Sequence, residues 1–421
     1  MFETLKNAWK IEDLRKKMIF TLVMLLIYRV GSFIPVPGID SGYIQDLITQ
    51  TGGLLGLLDI ISGGAFGNFT IFAMGITPYI NASIIMNLLT VAIPKLEQLA
   101  KEGEEGRKKI AEYTRYFSVI LSFVTAIGMT YGLARGALKE NNILSYFIVA
   151  LTLTAGTAFL MWLGEQITDR GVGNGISLII FTSIVSRLPV AVVSLFRTIF
   201  EARTLSFWAL PAAIVVVVAL ITGVVFIDLG QRRIPVQYAK RVVGRKMYGG
   251  QSTHIPMKVN SSGVMPIIFA MSILALPQTI AQFFPASGFA YFMNRYFSGS
   301  SPLYAIVYGL LILFFTYFYT MISFNPNEIA NNLKQYGGFV QGIRPGKPTA
   351  DYLARISNRI TLVGALFLTV VAILPIFLTA VTNLPVFFGG TSVLIMVSVA
   401  LETSKQLEAQ MIMRHYKGFL S

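Results

Sequence analysis

Ten runs of roughly 20 mostly apolar residues follow one another along this chain, near 18–36, 70–93, 116–134, 143–163, 176–196, 208–229, 263–284, 303–323, 360–381 and 384–404. At about 1.5 Å per helical residue, each is long enough to cross the ~30 Å hydrocarbon core of a bilayer. Inside lipid a backbone satisfies its own polar groups only as a helix or a closed barrel, so runs of this length predict helices. The expected fold class is an all-α polytopic membrane protein. Composition agrees, with 54% hydrophobic and 13% charged residues, too apolar for a soluble globular chain. The tenth run has the least defined end, because Glu402 and Lys405 follow Leu401 closely.

Basic residues orient the runs. Lys6, Lys10, Arg15, Lys16 and Lys17 precede the first run, and no small-residue cleavage site follows it, so it is expected to stay as a span. Phe2, Leu5 and Trp9 lie at helical spacing, which predicts an amino terminus lying flat on the membrane surface. With that end inside, inner segments carry 27 Lys and Arg and outer loops five: Arg135, Lys139, Arg197, Arg203 and Arg295. Arg29 and Arg187 fall near the outer ends of runs, where long basic side chains snorkel. By the positive-inside rule both termini are cytoplasmic.

The net charge of +14 is thus a property of the inner face, for which anionic lipid is one partner. Two inner loops stand apart. Residues 230–262 hold seven Lys and Arg with no Asp or Glu, and 324–359 hold five against Glu328 and Asp351. Both are far longer than ordinary connections and read as docking surfaces for something acidic. The absence of cysteine excludes disulfides and thiolate metal sites.

Ten runs divide as five and five across the polar stretch 198–207, giving halves 1–197 and 208–421 that enter the membrane from opposite sides. In such inverted repeats, matched Gly/Pro-interrupted spans point to the working site. Here they are the second run of each half, with Gly75 and Pro78 in one and Gly263, Pro266 and Pro277 in the other. None of the twenty acidic residues occupies the centre of a run, His254 and His415 are both cytoplasmic, and no hydrolase or nucleotide-binding motif occurs. An enzyme is not expected, and neither a cofactor nor a metal is implied. "GVGNG" at 171–175 has no strand before it and reads as a flexible entry to the fifth run. A passive channel, a small-solute transporter and a membrane scaffold remain open on these grounds; the missing midplane acids and the oversized basic loops favour the first.

Seven stretches carry a resemblance: "GSFIPVPGID" (31–40), "GITPYINASIIMNLL" (75–89), "GEQITDRGVGNGIS" (164–177), "GQRRIPVQYAKR" (230–241), "QSTHIPMKVN" (251–260), "GIRPGKPT" (342–349) and "FGGTS" (388–392). From end to end the chain resembles the bacterial SecY family, central subunits of the protein-translocation channel. The resemblance implies an hourglass pore between the halves, with a lateral gate between spans two and three on one side and seven and eight on the other. It implies SecE and SecG as companions, SecA or a ribosome as driver, and a signal peptide with its nascent chain as substrate, in the bacterial cytoplasmic membrane. Its pore ring falls on Ile76, Ile80, Ile176, Ile180, Ile268 and Ile395. Two of these pairs have the i, i+4 spacing that puts both members on one helix face. Its lateral-gate positions fall on Asn81, Thr125 and Asn260, for which hydrogen bonding between packed helices is the alternative. Its partner-docking positions fall on Arg245 and Arg344, and Arg344 has the alternative of bonding carbonyls of its own loop.

One short apolar segment is left over. Leu54, Leu55, Leu57, Leu58, Ile60 and Ile61 lie in a stretch of eight residues too short to span, flanked by Gly52, Gly53, Gly63 and Gly64. No Lys or Arg occurs from Val30 to Pro94, and the only acid in the segment is Asp59, so it lacks the strongly polar face of an interfacial helix. The expectation is a half-helix folding back from the outer side as a plug beneath the ring.

Overall fold

Glycine and proline, as much as hydropathy, decide where the apolar runs begin to coil. The structure, a computed structural model, describes residues 2–51, 59, 62–132, 136–140, 142–200, 209–238, 241–243, 246–248, 252–284, 287–297, 301–382 and 390–417. Its first part holds α1 (Phe2–Lys10), α2 (Glu12–Gly31), α3 (Ser41–Thr51), α4 (Thr77–Ala92), α5 (Pro94–Lys101), α6 (Glu104–Gly132), α7 (Ile143–Arg170) and α8 (Gly175–Phe200). Then come α9 (Ala209–Leu229), β1 (Gln231–Tyr238), β2 (Arg241–Val243), β3 (Lys246–Tyr248), β4 (Ser252–Lys258), α10 (Met265–Phe283) and α11 (Gly288–Tyr296). The chain continues through α12 (Pro302–Ser323), α13 (Pro326–Gln335), β5 (Gly338–Val340), α14 (Lys347–Thr382) and α15 (Gly390–Lys417).

Each apolar run overlaps one helix: α2, α4, α6, α7, α8, α9, α10, α12, α14 or α15. Among the described residues, Ile143–Arg170, Pro302–Gln335 and Lys347–Phe377 are long and apolar enough to cross a membrane, and α4 with α5, bent by 100°, makes a fourth when counted as one. The chain is a polytopic membrane protein built on helices. Several helices outrun their apolar stretch: α6 starts at Glu104 rather than near 116, helped by a Lys108–Glu104 pair at 3.2 Å, and α15 continues to Lys417. The second run does the reverse. Its helix starts at Thr77, and residues 71–76 are turns.

Four expectations need correction. The basic stretches 230–262 and 324–359 are not simply loops, since they carry the short strands β1 to β5. Strand β1 pairs antiparallel with β4, Ile234 opposite Ile255, and with β5, Val236 opposite Val340, in the order β4-β1-β5. Ile234 and Val236 alternate with exposed neighbours and bury against Met257, Leu333, Val340 and Leu353; this period of two went unread among the charges. Asn325 caps α13 by accepting from the N–H groups of Asn327 and Glu328, with Pro326 in the first turn, as a helix start requires. Second, α1 does not lie free: Thr4 Oγ1 donates to Glu408 of α15 at 2.9 Å, and Ala8, Leu14, Val172 and Leu407 bury one another. Third, 171–175 is a packed corner rather than a flexible entry, since the Val172 N–H donates to Thr21 Oγ1 at 3.0 Å and the Ser177 N–H to Asn174 Oδ1 at 3.2 Å. Fourth, residues 198–200 of the expected hinge belong to α8; 201–208 lie outside the described residues.

The first five long helices meet the last five along two seams. On one, α10 packs against α4 and α6; on the other, α15 packs against α8 and α1.

Candidate functional site

Two helix starts use one device. Gly75 (φ +56°) and Gly263 (φ +60°) adopt a left-handed backbone that only glycine takes readily. Ile76 (φ −95°, ψ 2°) and Val264 (φ −90°, ψ −8°) then take up the cap of α4 and α10, and Pro78 and Pro266 fill the first turn, where a missing N–H is harmless. Counted from the prolines, Ile80 and Ile268 hold the same position, and Ile76 matches Val264.

A second device opens α8 and α15. A Cβ on Gly175 would lie 1.9 Å from the Gly164 carbonyl oxygen of α7, and one on Gly390 would lie 2.1 Å from that of Val371 in α14. Each helix therefore begins with its backbone pressed against the preceding helix, where only hydrogen fits. Counted from these glycines, Ile180 and Ile395 hold the same position, and Ile176 matches Thr391.

These four helix starts converge. Ile76, Ile80, Ile180 and Ile395 are buried members of one hydrophobic cluster, and Ile176 and Ile268 pack against it half-buried. Val264 is buried in the same cluster, and Thr391 is buried at its equivalent place. Sequence reasoning passed over both, although the repeated Gly-x-x-Pro and Gly-x-Ser patterns were visible. Isoleucine and valine side chains offer an ion nothing in exchange for its water. Among the described residues no group of three or more His, Asp or Glu is placed to hold a metal.

Around this cluster the other sequence candidates take different places. Asn81, on α4, is buried and its Oδ1 has no hydrogen-bond partner. Thr125 donates to the Leu121 carbonyl of its own helix at 2.8 Å. Asn260 donates to Asp228, at the end of α9, at 2.7 Å, and Asp228 also accepts from Ser398 of α15. A cavity of about 640 Å³ opens between α4–α6 and α10–α12, lined by Asn87, Glu97, Lys101 and Arg107 on one side and Phe269 and Tyr319 on the other. Arg344 is exposed, and its carbonyl accepts from Thr349 Oγ1 at 2.8 Å. Arg245 lies outside the described residues, as do Leu54, Leu55, Leu57, Leu58, Ile60 and Ile61. Of the short apolar segment Asp59 alone is described, and it pairs with Arg187 of α8.

Comparison with known proteins bears on the whole chain. The family model described as SecY matches residues 70–404. A protein of Halalkalibacterium halodurans described as protein translocase subunit SecY is 49% identical, and its Bacillus subtilis counterpart 46%, each over 100% of both chains. Among solved structures, one concerning the plug domain of SecY superposes with a TM-score of 0.68 at 21% identity, covering 95% of this chain and 93% of the other. Another, of a protein conducting channel, superposes at 0.66 and 20% identity with the same coverage, so the overall fold is shared.

Proposed function

The chain belongs to the SecY family, and on that premise we infer how it works as a protein-conducting channel of the Sec translocase. It is a conduit rather than a catalyst. The single observation that carries this reading is that four matched helix starts place isoleucines in one shared hydrophobic core cluster. In our reading Ile76, Ile80, Ile176, Ile180, Ile268 and Ile395 form the pore ring, with Val264 beside them. Ten spans form two inverted halves of five around it, 1–197 and 208–421, in the bacterial cytoplasmic membrane with both termini inside. An unfolded polypeptide passes through the ring, which seals by excluding water and favours no particular side chain. The α10 seam, with Asn81, Thr125 and Asn260 around it, is the lateral gate through which signal peptides and transmembrane segments reach lipid. Residues 54–61 are the plug. SecE and SecG complete the complex. SecA or a ribosome docks on the basic sheet side, where Arg245 and Arg344 contribute, and anionic lipid supports the same face.

The test is ion leak. Serine at Ile80, Ile180, Ile268 and Ile395 together places hydroxyls in the apolar seal, and is expected to raise resting conductance of the reconstituted complex while polypeptides still pass. Unchanged conductance would remove the ring assignment.

A further inference from the structure

Between the basic sheet and α10 lies a short joint, 259–263, whose contacts run to α9, α14 and α15. The Val259 N–H donates to the Gly230 carbonyl, just past α9, at 2.9 Å. A Cβ on Gly364 of α14 would lie 2.6 Å from the Val259 carbonyl oxygen, so the joint is pressed against that helix. Asn260 is buried and held at both ends of its amide: Nδ2 donates to Asp228 at 2.7 Å, and Oδ1 accepts from Ser262 Oγ at 3.4 Å. Asp228 in turn accepts from Ser398 of α15. Gly263 follows, with φ +60° and, among the described residues, nothing within 4 Å of where a Cβ would stand. It is a glycine for its backbone and not for space, so α10 starts beyond a fixed block at a residue with room to turn.

Asp228 has no local reason to be where it is. It is the last residue but one of α9, where a negative charge opposes the helix dipole. It is half-buried, and among the described residues no cation pairs with its carboxylate; Lys405 of α15 reaches its carbonyl instead, at 3.5 Å. Its carboxylate meets neutral donors, Asn260 from the joint and Ser398 from α15. Hydrogen bonds to a carboxylate are roughly twice as strong as those between neutral groups. One charged acceptor therefore ties α9, the joint and α15 together. The family resemblance sets Asn260 at the lateral gate, yet among the described residues its side chain bonds within its own half and not across the seam to α4 or α6.

We propose that Asp228 is a positioning residue for the gate: it holds Asn260, and so the start of α10, against α9 and α15, and α10 turns about Gly263 when the seam opens. This role rests on the gate reading of the α10 seam. The reconstituted translocase complex in planar bilayers tests it. Asn260→Asp sets two carboxylates face to face and is expected to raise resting openings about tenfold or more. Asp228→Asn keeps an oxygen that accepts from both donors and raises them less. The double change, Asp228→Asn with Asn260→Asp, restores an amide and a carboxylate with their places exchanged, and is expected to bring openings back to within about threefold of the parent. That recovery also excludes misfolding as the source of the leak. Bridging Asn87→Cys to Phe269→Cys across the seam is expected to silence the Asn260→Asp leak, whereas a leak from general loosening of the helices would persist. An Asn260→Asp variant that stays closed, a double change whose leak is the sum of the singles, or a leak that survives the bridge overturns the positioning role. Should the same bridge leave translocation by the parent complex untouched, the gate reading falls first and takes this role with it.

Discussion

The two seams between the first five long helices and the last five are built on opposite terms. The helices α4 and α10, which meet at one seam, each carry a buried polar atom with no partner among the described residues, Asn81 Oδ1 and Gln278 Oε1. A cavity of about 640 Å³, edged by Glu97, Lys101 and Arg107, lies in the same place. Where α15 meets α8 and α1, buried polar atoms without a partner among the described residues occur too, Gln410 Oε1 on α15 and Arg187 Nε on α8, but the cavity there, about 330 Å³, is walled mainly by apolar side chains such as Leu25, Leu178, Phe181 and Val399. Thr4 bonds Glu408, Thr21 accepts the Val172 N–H, and Ala8, Leu14, Val172 and Leu407 close over one another. An unsatisfied buried acceptor costs about 1–3 kcal/mol, which is recovered when water reaches it. The α10 seam thus offers water a cavity with charged edges, and the α15 seam one with apolar walls. In the channel proposed above, the first is the gate and the second the hinge.

The largest expected effect comes from locking each seam in turn, on a chain with no cysteine of its own. Asn87→Cys with Phe269→Cys, bridged across the cavity by a bifunctional maleimide, is expected to stop translocation of a secretory substrate. A disulfide between Thr4→Cys and Glu408→Cys is expected to leave the rate near that of the reduced protein. Equal sensitivity of the two seams would break the comparison. A smaller effect is expected from Asn81→Leu, which removes an orphan acceptor at nearly constant volume. The closed seam should gain about 1–3 kcal/mol, seen as spontaneous openings rarer by roughly five- to hundredfold, whereas more openings would contradict the gate assignment. The smallest is Thr4→Val. Losing one exposed hydrogen bond should lower stability by about 1 kcal/mol or less, measured by thermal unfolding, without changing open probability.

Much of this was legible residue by residue. Gly75 with Pro78 and Gly263 with Pro266 mark interrupted runs, because their backbone preferences act locally. The hydropathy runs place each long helix for the same reason. Other features were misread because their partners lie far away. Arg29 and Arg187 pass for ordinary snorkelling side chains, yet Arg29 holds the Gly63 carbonyl and lies 4.7 Å from the Phe33 ring centre, and Arg187 pairs with Asp59 across 128 residues of chain. Strand β1 hides within a basic stretch, and its partner β5 comes only after α10 to α13. The amphipathic pattern of α1 fits a membrane surface as well as it fits α15; only the neighbour decides between them.

By itself, the amino-acid sequence determined that this chain lives in a membrane and which runs coil into its long helices. Helical hydrogen bonds close within four residues, and hydropathy accumulates over about twenty, so these properties are carried by short windows. Tertiary structure alone decided which faces meet. It brought isoleucines from 76 to 395 into one hydrophobic cluster, set Asp59 against Arg187, and edged the cavity at one seam with charged side chains and that at the other with apolar ones. Contacts of that kind depend on the packing of everything between the two partners, and no short window contains it.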